Sequence, residues 1–592
     1  MKTIKSNFKK IKMILKITNK NSKKSLFIFF ILGFLTEVIN IINVFFPPLV
    51  VHFLITNEDK KVIGILLFSV SFLLAVCNYI VSLLKLKITA NTKYLENKMY
   101  CILNRKNANL DYFNCLDEDI ENLYFNAFDN VYRYIDIPLL LLNYIVNKAI
   151  TFIIMFIAFY RINIFLVLFV VATIIIDFLI SKKSQKIKKK YDEEISSYSY
   201  KKRYLMECFE NYKIGKEIRV FNGKDLLINK YNDVSNRILV IEKKINKNDI
   251  IFSIISKLIA TIRLFVIYIL AINKYLNDSL FLSEFLIYIS AINQMADSFD
   301  DIVDCILMIN NALYYFSDFT KYLNIEETFH KKLSLENKSE NNVPLIEFEN
   351  VSFKYPNSDA YTLKNISFKI FKNQVVSIVG DNGSGKSTLI KLILRLYDYE
   401  GNIYYNGQNI KNIDYDYYQS LFATTFQDYK MYCYSIKENI MFDKDIDNTK
   451  LEKVLQCLNI EKLINKIGLE ANYSKRFDEN GVELSNGESQ KIAISRALYK
   501  NSDVFIFDEP TATIDPLAEY EIFKNIYNLA KQEKTVIFVS HRMGSTFYSN
   551  NAIVLDNGMI VENDNYKNLL NKDGLYAKMY NLQAKYYKGS LK

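Results

Sequence analysis

Glycine and proline are scarce in this chain, 16 and 7 among 592 residues, and there are only three histidines. So little glycine and proline excludes a collagen-like or low-complexity polymer. The seven cysteines (Cys77, Cys101, Cys115, Cys208, Cys305, Cys433 and Cys457) are scattered, with no Cys-x-x-Cys pair. They match neither a zinc site nor a disulfide framework, and point to free thiols in a reducing compartment. What is abundant is apolar: half of the residues are hydrophobic and 23% are charged, which excludes a disordered chain. Single cores rarely grow beyond about 250–300 residues, so more than one domain is expected. A mean hydropathy of +0.01 suits neither an ordinary soluble enzyme nor a pure membrane bundle. Two unlike halves would produce it.

Long apolar runs fill the N-terminal half: Leu26–Phe46, Val62–Leu84, Ile135–Tyr160, Ile164–Ile180, Ile250–Ile272 and Leu280–Ala296. A bilayer core about 30 Å thick takes about 20 apolar residues of helix, so these read as six membrane spans rather than buried helices of a soluble core. The first is too long for the apolar core of a signal peptide and lacks a clear cleavage site, so it is expected to be retained. Lys2, Lys5, Lys9, Lys10, Lys12, Lys16, Lys20, Lys23 and Lys24 precede it, and Lys182, Lys183, Lys186, Lys188, Lys189 and Lys190 follow the fourth run. By the positive-inside rule both clusters belong in the cytoplasm. The loops around Asn57–Lys61, Arg161–Asn163 and Asn273–Ser279 are then short and outside. Lys85–Tyr134 and Ser181–Asp249 are long and inside, and read as helical extensions that turn at their tips. The excess of 75 basic over 64 acidic residues, net +11, is thus a topology marker, and no nucleic-acid partner is expected.

From Ile325 to Pro344 the composition shifts to Glu, Lys, Ser and Asn, as in a linker. Beyond it, short β-branched strands alternate with helical stretches, the pattern of an α/β domain with a mostly parallel sheet. The strand Gln374–Val379 runs into Gly380-Asp381-Asn382-Gly383-Ser384-Gly385-Lys386-Ser387-Thr388 and then a helix, Leu389–Leu396. This is G-x-x-x-x-G-K-[ST] in strand–loop–helix context, a phosphate-binding loop. Its glycines permit a tight turn with inward N–H groups, and the helix N-terminus adds positive potential. Lys386 would reach the β- and γ-phosphates of a nucleoside triphosphate, and Ser387 would help hold Mg²⁺. A second apolar strand, Val504–Phe507, ends in Asp508-Glu509. Acids at the carboxyl end of a buried strand face the same crevice. Asp508 suits the surroundings of the metal, and Glu509 suits polarisation of an attacking water.

Between these two strands stands Leu484-Ser485-Asn486-Gly487-Glu488, followed by a helical run through Leu498. With the phosphate loop and the paired acids, it resembles the ABC transporter family, of the exporter type in which membrane and ATPase domains are fused. The resemblance covers nearly the whole chain. It implies a multidomain fold: an all-α six-helix transmembrane domain plus an α/β P-loop ABC ATPase domain. The division expected is a basic cytoplasmic tail at 1–24, the membrane domain at 25–324, a linker at 325–344 and the ATP-binding domain at 345–592.

Further roles follow from the resemblance alone. Ser485 and Gly487 would contact the γ-phosphate of ATP held by the opposite subunit. Asn486 and Glu488 depart from the common Leu-Ser-Gly-Gly-Gln form; Glu at the last position resembles a known variant, whereas Asn at the third is less usual, and tolerance of the left-handed conformation makes it the least costly substitute for the glycine. Tyr355 resembles the aromatic that stacks on adenine, Gln427 the residue that senses Mg²⁺, Asp515 the acid that crosses the dimer interface, and His541 the switch histidine on the γ-phosphate. Glu479-Asn480-Gly481 resembles a loop that reads the position of the membrane domain. Leu110-Asp111-Tyr112 with Asp117–Leu123, and Lys216–Asn222, resemble the two coupling-helix regions.

The function implied is ATP-driven export across the plasma membrane by alternating access, with the ATPase domain in the cytoplasm. A nucleotide-gated regulator or channel-like subunit without active transport is the alternative. The partner would be a second half-transporter subunit, the same chain or another. Glu37, Asn40, Asn43, Asn78, Asn143, Lys148, Asp177, Lys257, Arg263, Glu284 and Asp297 lie within or beside the spans. They suggest a cavity for an amphipathic or peptide-like cargo, a drug or a lipid being the other candidates. The stretch Asp508–Phe523, with Ala518–Phe523 within it, resembles bacterial exporters of small modified peptides and bacteriocins. No peptidase domain precedes the first span, so cleavage of a cargo leader by this chain is not expected.

Overall fold

The computed structural model describes residues 2–21, 24–56, 59–160, 164–276, 281–329, 343–356, 358–442, 447–511 and 516–589. Most of the expected linker, and residues 57–58, 161–163 and 277–280 of the outer loops, lie outside the described residues. The chain divides into two compact units, Met1–Asn109 with Asp117–Ile325, and Leu110–Leu116 with Glu326–Lys592.

The first unit is helical. The basic tail forms a 20-residue helix, Lys2–Asn21. Long helices follow at Ser25–Ile55, Lys60–Asn109, Asn147–Tyr160, Ile164–Glu210, Lys224–Leu276 and Leu282–Leu323. At 1.5 Å per residue the 50 residues of Lys60–Asn109 reach about 75 Å, more than twice a bilayer core. The apolar run therefore fills only part of the helix, and the charged remainder extends it without a break.

Four helices are long and apolar enough to cross a membrane: Ser25–Ile55, Lys60–Asn109, Val131–Ile154 and Lys224–Asn273. The fourth and sixth expected spans, in Ile164–Glu210 and Leu282–Leu323, fall short of that measure among the described residues. Glu284, Asp297, Asp300 and Asp301 close in on the second of these apolar runs, whereas Ile164–Ile180 carries Asp177 as its only charge and the side chains of its first residues lie outside the described ones. Ile65, Phe68 and Phe72 of one helix and Ile254, Leu258, Ile262 and Phe265 of another are exposed. Rows of large apolar side chains at helical spacing suit a face turned to lipid.

Val44, Ile174, Ile267, Ile292, Met295 and Val303 build part of the inner core. Beside them Lys148 Nζ lies 3.1 Å from Glu37 Oε1 and 3.0 Å from Asp301 Oδ2. Thr151 donates to Glu37 Oε2 at 2.7 Å, and Arg263 Nη2 meets Asp300 Oδ2 at 2.7 Å. Three of the eleven residues expected to line a cavity, Glu37, Lys148 and Arg263, are thus paired helix to helix. Glu284 has a simpler role: its carboxylate accepts from Phe281 N at 2.9 Å and caps its own helix. The side chain of Asn143 lies outside the described residues.

The second unit holds ten strands: β1 Ile346–Phe353, β2 Leu363–Ile370, β3 Val375–Gly380, β4 Glu400–Tyr405, β5 Gln408–Asn409, β6 Phe422–Thr425, β7 Val504–Asp508, β8 Thr535–Val539, β9 Asn551–Asp556 and β10 Met559–Asp564. They form a four-stranded sheet in the order β2-β1-β4-β5 and a six-stranded sheet in the order β10-β9-β3-β8-β7-β6. The four-stranded sheet is wholly antiparallel, an element the sequence pattern did not announce. In the other, β3, β6, β7, β8 and β9 run parallel, and every residue of β3, β7 and β8 is buried, as strands covered on both faces must be. Parallel register pairs Ile378 and Asp508 with the same residue, Val539. The carboxyl ends of β3, β7 and β8 therefore open side by side, and the segments that leave these three strands share one crevice.

Candidate functional site

The loop after β3 is shaped by its glycines. A Cβ on Gly380 would stand 2.2 Å from the carbonyl oxygen of Leu555 on β9. Gly385 has φ +102° and sits at the N-cap of the helix Lys386–Ile393, which starts three residues earlier than expected and ends before Arg395, itself left-handed at φ 53°. Lys386 folds back, its Nζ donating to Gly380 O at 2.9 Å and Asp381 O at 2.7 Å. Burial pushes the pKa of this lysine down, against the opposing pull of Glu509, Asp381 and Asp508.

Two polar atoms here have no partner among the described residues. Ser384 Oγ and Asp508 Oδ1 are buried without a hydrogen bond. Each such orphan costs about 1–3 kcal/mol unless something outside the chain satisfies it. Burial pushes the Asp508 carboxyl up, a hydrogen bond from Ser387 opposes it, and the charge of Glu509 raises it further. An unpartnered hydroxyl, an unpartnered carboxylate oxygen, Ser387 and a buried ammonium around a glycine loop fit a polyphosphate with a divalent cation.

Glu509 follows β7 with φ 52°, a conformation that strains a residue bearing a side chain. Its backbone is held on both sides: its N–H donates to Val539 O at 3.1 Å, and its carbonyl accepts from Gln490 Nε2 at 3.1 Å. The carboxylate is gripped at both oxygens. Gln427 Nε2 donates to Oε2 at 3.0 Å, and His541 Nε2 lies 2.6 Å from Oε1. The three residues singled out for chemistry, Gln427, Glu509 and His541, are thus one cluster built from the ends of three parallel strands.

Two further residues complete this frame. Gln490, buried in the helix Asn486–Lys500, joins that helix to Glu509. Gln583 donates to His541 O at 2.6 Å and accepts from Met543 N at 2.8 Å, which holds the histidine loop against the helix Leu575–Gly589. Neither carries a local sequence pattern.

Tyr355 lies beside the phosphate loop. Its hydroxyl is 2.9 Å from Thr388 Oγ1, and Lys391 Nζ lies 5.7 Å from its ring centroid. Asp381, Asn382 and Gly383 complete the loop, and the chain turns at Asp381, whose carbonyl accepts from Ser384 N at 3.2 Å.

The Leu484–Glu488 segment requires a correction. Asn486 is not left-handed: it is the first residue of the helix Asn486–Lys500, so tolerance of positive φ does not explain it. Ser485 is the N-cap and Glu488 closes a capping box. Glu488 Oε2 accepts from Ser485 N and Ser485 Oγ, both at 2.8 Å, and Glu488 N donates back to Ser485 Oγ at 3.3 Å. Those bonds hold the Glu488 carboxyl below its ordinary pKa. The Ser-x-x-Glu spacing was the available signal for it. Asp515, with Ala512, Thr513 and Ile514, lies outside the described residues.

Around Glu479-Asn480-Gly481 the chain makes a turn, with Asn480 N and Gly481 N bonded back to Asp478. Of the two expected coupling regions, Leu110–Leu116 belongs to the second unit, where Asp111 accepts from Thr328 N at 2.8 Å and Thr328 Oγ1 at 2.7 Å. Lys216–Asn222 stays in the first unit, in the helix Tyr212–Val220 and the turn after it, with Val220 and Phe221 exposed.

Residues 363–512 match the ABC transporter family. The chain is 34% identical over 373 residues to the subtilin transport ATP-binding protein SpaT of Bacillus subtilis, covering 62% of this chain and 60% of that protein. It is 31% identical over 376 residues to the nisin transport ATP-binding protein NisT of Lactococcus lactis subsp. lactis, covering 62% of each. The chain thus spans about three fifths of the length of these relatives. In three dimensions it resembles a bacterial Atm1-family ABC exporter with ATP bound, at a TM-score of 0.79 and 18% identity over 97% of this chain and 98% of that one. Residues 363–512 of the second unit thus match the ABC transporter family, in a chain that has the fold of an ABC exporter.

Proposed function

We propose that this chain is one half of an ATP-driven exporter, with ATP hydrolysis at the crevice beyond β3, β7 and β8. The carrying observation is the Glu509 carboxylate held between Gln427 and His541 beside an intact phosphate loop. In this reading the N–H groups of Gly380–Thr388 and the helix N-terminus bind the phosphates, and Lys386 turns from Gly380 O and Asp381 O toward them. Tyr355 stacks on adenine. Ser387, Gln427 and Asp508 would hold Mg²⁺, and the bound ion would neutralise phosphate charge. Glu509 polarises the attacking water, and His541 orients Glu509 and donates toward the γ-phosphate. Replacing Glu509 with Gln keeps the shape and removes the base. ATP should still bind while turnover falls at least about 100-fold; undiminished ATPase activity of Glu509→Gln would refute the assignment.

One chain supplies half of each site in this scheme. Ser485 and Gly487 face ATP bound by a second subunit, and Asp515 crosses to it. The phosphate loop, Glu509 and His541 are all present, which supports a homodimer, while Asn486 and Glu488 keep a heterodimer in view. Reconstitution of the purified chain alone decides between them, because a functional homodimer needs no partner for ATPase activity. The basic helix Lys2–Asn21 and the lysine run after the fourth apolar stretch support a plasma-membrane orientation with the ATPase domain in the cytoplasm. The tail 1–24, the membrane domain 25–324, the linker 325–344 and the ATPase domain 345–592 are the working divisions.

The cargo proposed is amphipathic or peptide-like. The relatives named for subtilin and nisin transport support it. An ATPase screen in lipid vesicles against peptides, drugs and lipids tests it: stimulation by lipids or drugs and not by peptides would overturn the peptide reading.

A further inference from the structure

We propose that Gln583, on the helix Leu575–Gly589, is a positioning residue for ATP hydrolysis that holds His541 on Glu509. The inference rests on the reading of His541 as the group that orients Glu509 and donates toward the γ-phosphate. Helical spacing brings Gln583 to the site. Tyr576, Met579, Tyr580 and Gln583 stand at i, i+3, i+4 and i+7, so they share one face of the helix. Tyr576 is fully buried among Met543, Ala552, Val554 and Leu569, and Met579 and Tyr580 lie against the same cluster. Seating the apolar part of this face delivers the Gln583 amide to the turn after β8.

That turn has little support of its own. β8 ends at Val539, and the next regular element is the 3₁₀ turn Met543–Tyr548. Among the described residues the His541 backbone has one hydrogen bond, from Gln583 Nε2 to its carbonyl at 2.6 Å. The same amide accepts from Met543 N at 2.8 Å, so one planar group grips the chain on both sides of Arg542. A bond from Arg542 N to Ser540 Oγ at 3.0 Å shapes the turn without tying it to another element. Glu519 pairs with the Arg542 guanidinium, but that is the end of a long side chain and leaves the backbone room to shift. The contact at stake is short: His541 Nε2 lies 2.6 Å from Glu509 Oε1. The imidazole is 38% exposed, so packing alone does not hold it there. A drift of about 1 Å breaks the contact, and a misplacement of that size costs about 100-fold in rate. ATP binding rests instead on the phosphate loop and Tyr355.

ATPase kinetics of the full chain in lipid vesicles test this. Gln583→Met keeps the length of the side chain and removes both hydrogen bonds. It should lower kcat about 10- to 100-fold and leave the KM for ATP within about twofold. Gln583→Glu keeps an acceptor for Met543 N but sets a carboxylate against the His541 carbonyl. It should lose as much, and it serves as the test should Gln583→Met fail to fold. The decisive measurement is the double change with His541→Ala, followed as single-turnover release of labelled phosphate, which resolves slow residual rates. Because Gln583 acts through His541, adding Gln583→Met to His541→Ala should cost less than about twofold more. Unchanged kcat in the Gln583 variants, a KM that rises in step with the fall of kcat, or a further loss of about tenfold or more in the double variant overturns the proposal. His541→Ala separates it from its premise. Unchanged turnover there sinks the reading of His541 and the positioning role with it, whereas a loss in His541→Ala beside full turnover in the Gln583 variants sinks the positioning role alone.

Discussion

Glu488 offers the sharpest test of how the family segment works in this chain, because capping and catalysis pull in opposite directions. Its carboxylate accepts two hydrogen bonds from Ser485, at 2.8 Å each, at the start of the helix Asn486–Lys500. Replacing Glu488 with Gln keeps an acceptor in the capping box and removes the charge. A charge-assisted hydrogen bond is worth about 1.5–3 kcal/mol and a neutral one about half that. The favourable interaction with the helix N-terminus, about 0.3–1 kcal/mol, is lost as well. Summed over both bonds this is about 2–4 kcal/mol before solvent screening, and at this partly exposed helix end local stability should drop by about 1–2 kcal/mol. If Ser485 and Gly487 approach the γ-phosphate of a partner's ATP, the same charge opposes that approach. With about 6 Å between the charges and an effective dielectric of about 40–80, the repulsion is about 0.7–1.4 kcal/mol per phosphate charge. Glu488→Gln should then lower the KM for ATP about three- to tenfold while lowering the thermal midpoint slightly. ATPase titrations in lipid vesicles, paired with melting of the same samples, read both effects. A raised KM, or unchanged KM with unchanged melting, would refute the reasoning, since it would mean that the carboxylate either assists the phosphate or does not cap.

Other perturbations have expected outcomes of similar definition. Gly385→Ala forces a side chain onto φ +102° and brings a Cβ to 2.6 Å from Leu363 Cδ2, so it should destabilise the loop by about 1–3 kcal/mol and weaken ATP binding, as read by nucleotide fluorescence titration. Mg-ATP binding needs Asp508 ionised and Lys386 protonated. Because the Asp508 pKa is raised and that of Lys386 lowered, affinity should fall on the acid side at a higher pH than an ordinary carboxylate dictates, and on the alkaline side at a lower pH than an ordinary lysine dictates. Asp508→Asn should remove the acid limb of that profile. In the membrane unit, Lys148→Met leaves Glu37 buried without its cation and should destabilise by about 3–5 kcal/mol, seen as a lower midpoint in detergent melting. The double change Lys148→Met with Glu37→Gln should recover part of that loss.

How much of this was legible in the sequence depends on whether a pattern is local. Four of the six expected spans and the helical extensions were legible because apolar period and scarce glycine act over neighbouring residues. Lys60–Asn109 continues past Leu84 for the reason its composition suggests: nothing in Lys85–Asn109 breaks a helix. The antiparallel sheet was not legible, since β1, β2 and β4 pair across intervening segments and their short alternating stretches read equally well as strands of a parallel sheet. The same limit applies to Glu37, Lys148 and Asp301. Each was visible as a charge in or beside an apolar run, but the pairing among three distant helices appears only when the bundle forms.

At the nucleotide site the division runs between chemistry and support. Gly380, Gly385, Lys386, Asp508 and Glu509 stand out in the string because the chemistry proposed for them, phosphate binding and water activation, restricts residue type. Gln490 and Gln583 were not, because any side-chain amide of suitable reach could brace Glu509 or His541, and that freedom leaves no motif. Asn486 shows the hazard of carrying over a family's reasoning along with its residues. A glycine at that position elsewhere invites an argument from backbone freedom, yet here the residue opens a right-handed helix capped by Ser485 and Glu488. The departures at Asn486 and Glu488 are then one local solution: a helix start fixed by a capping box, which holds Ser485 and Gly487 in place without glycine's flexibility and sets a negative charge beside the surface that a second ATP site would have to approach.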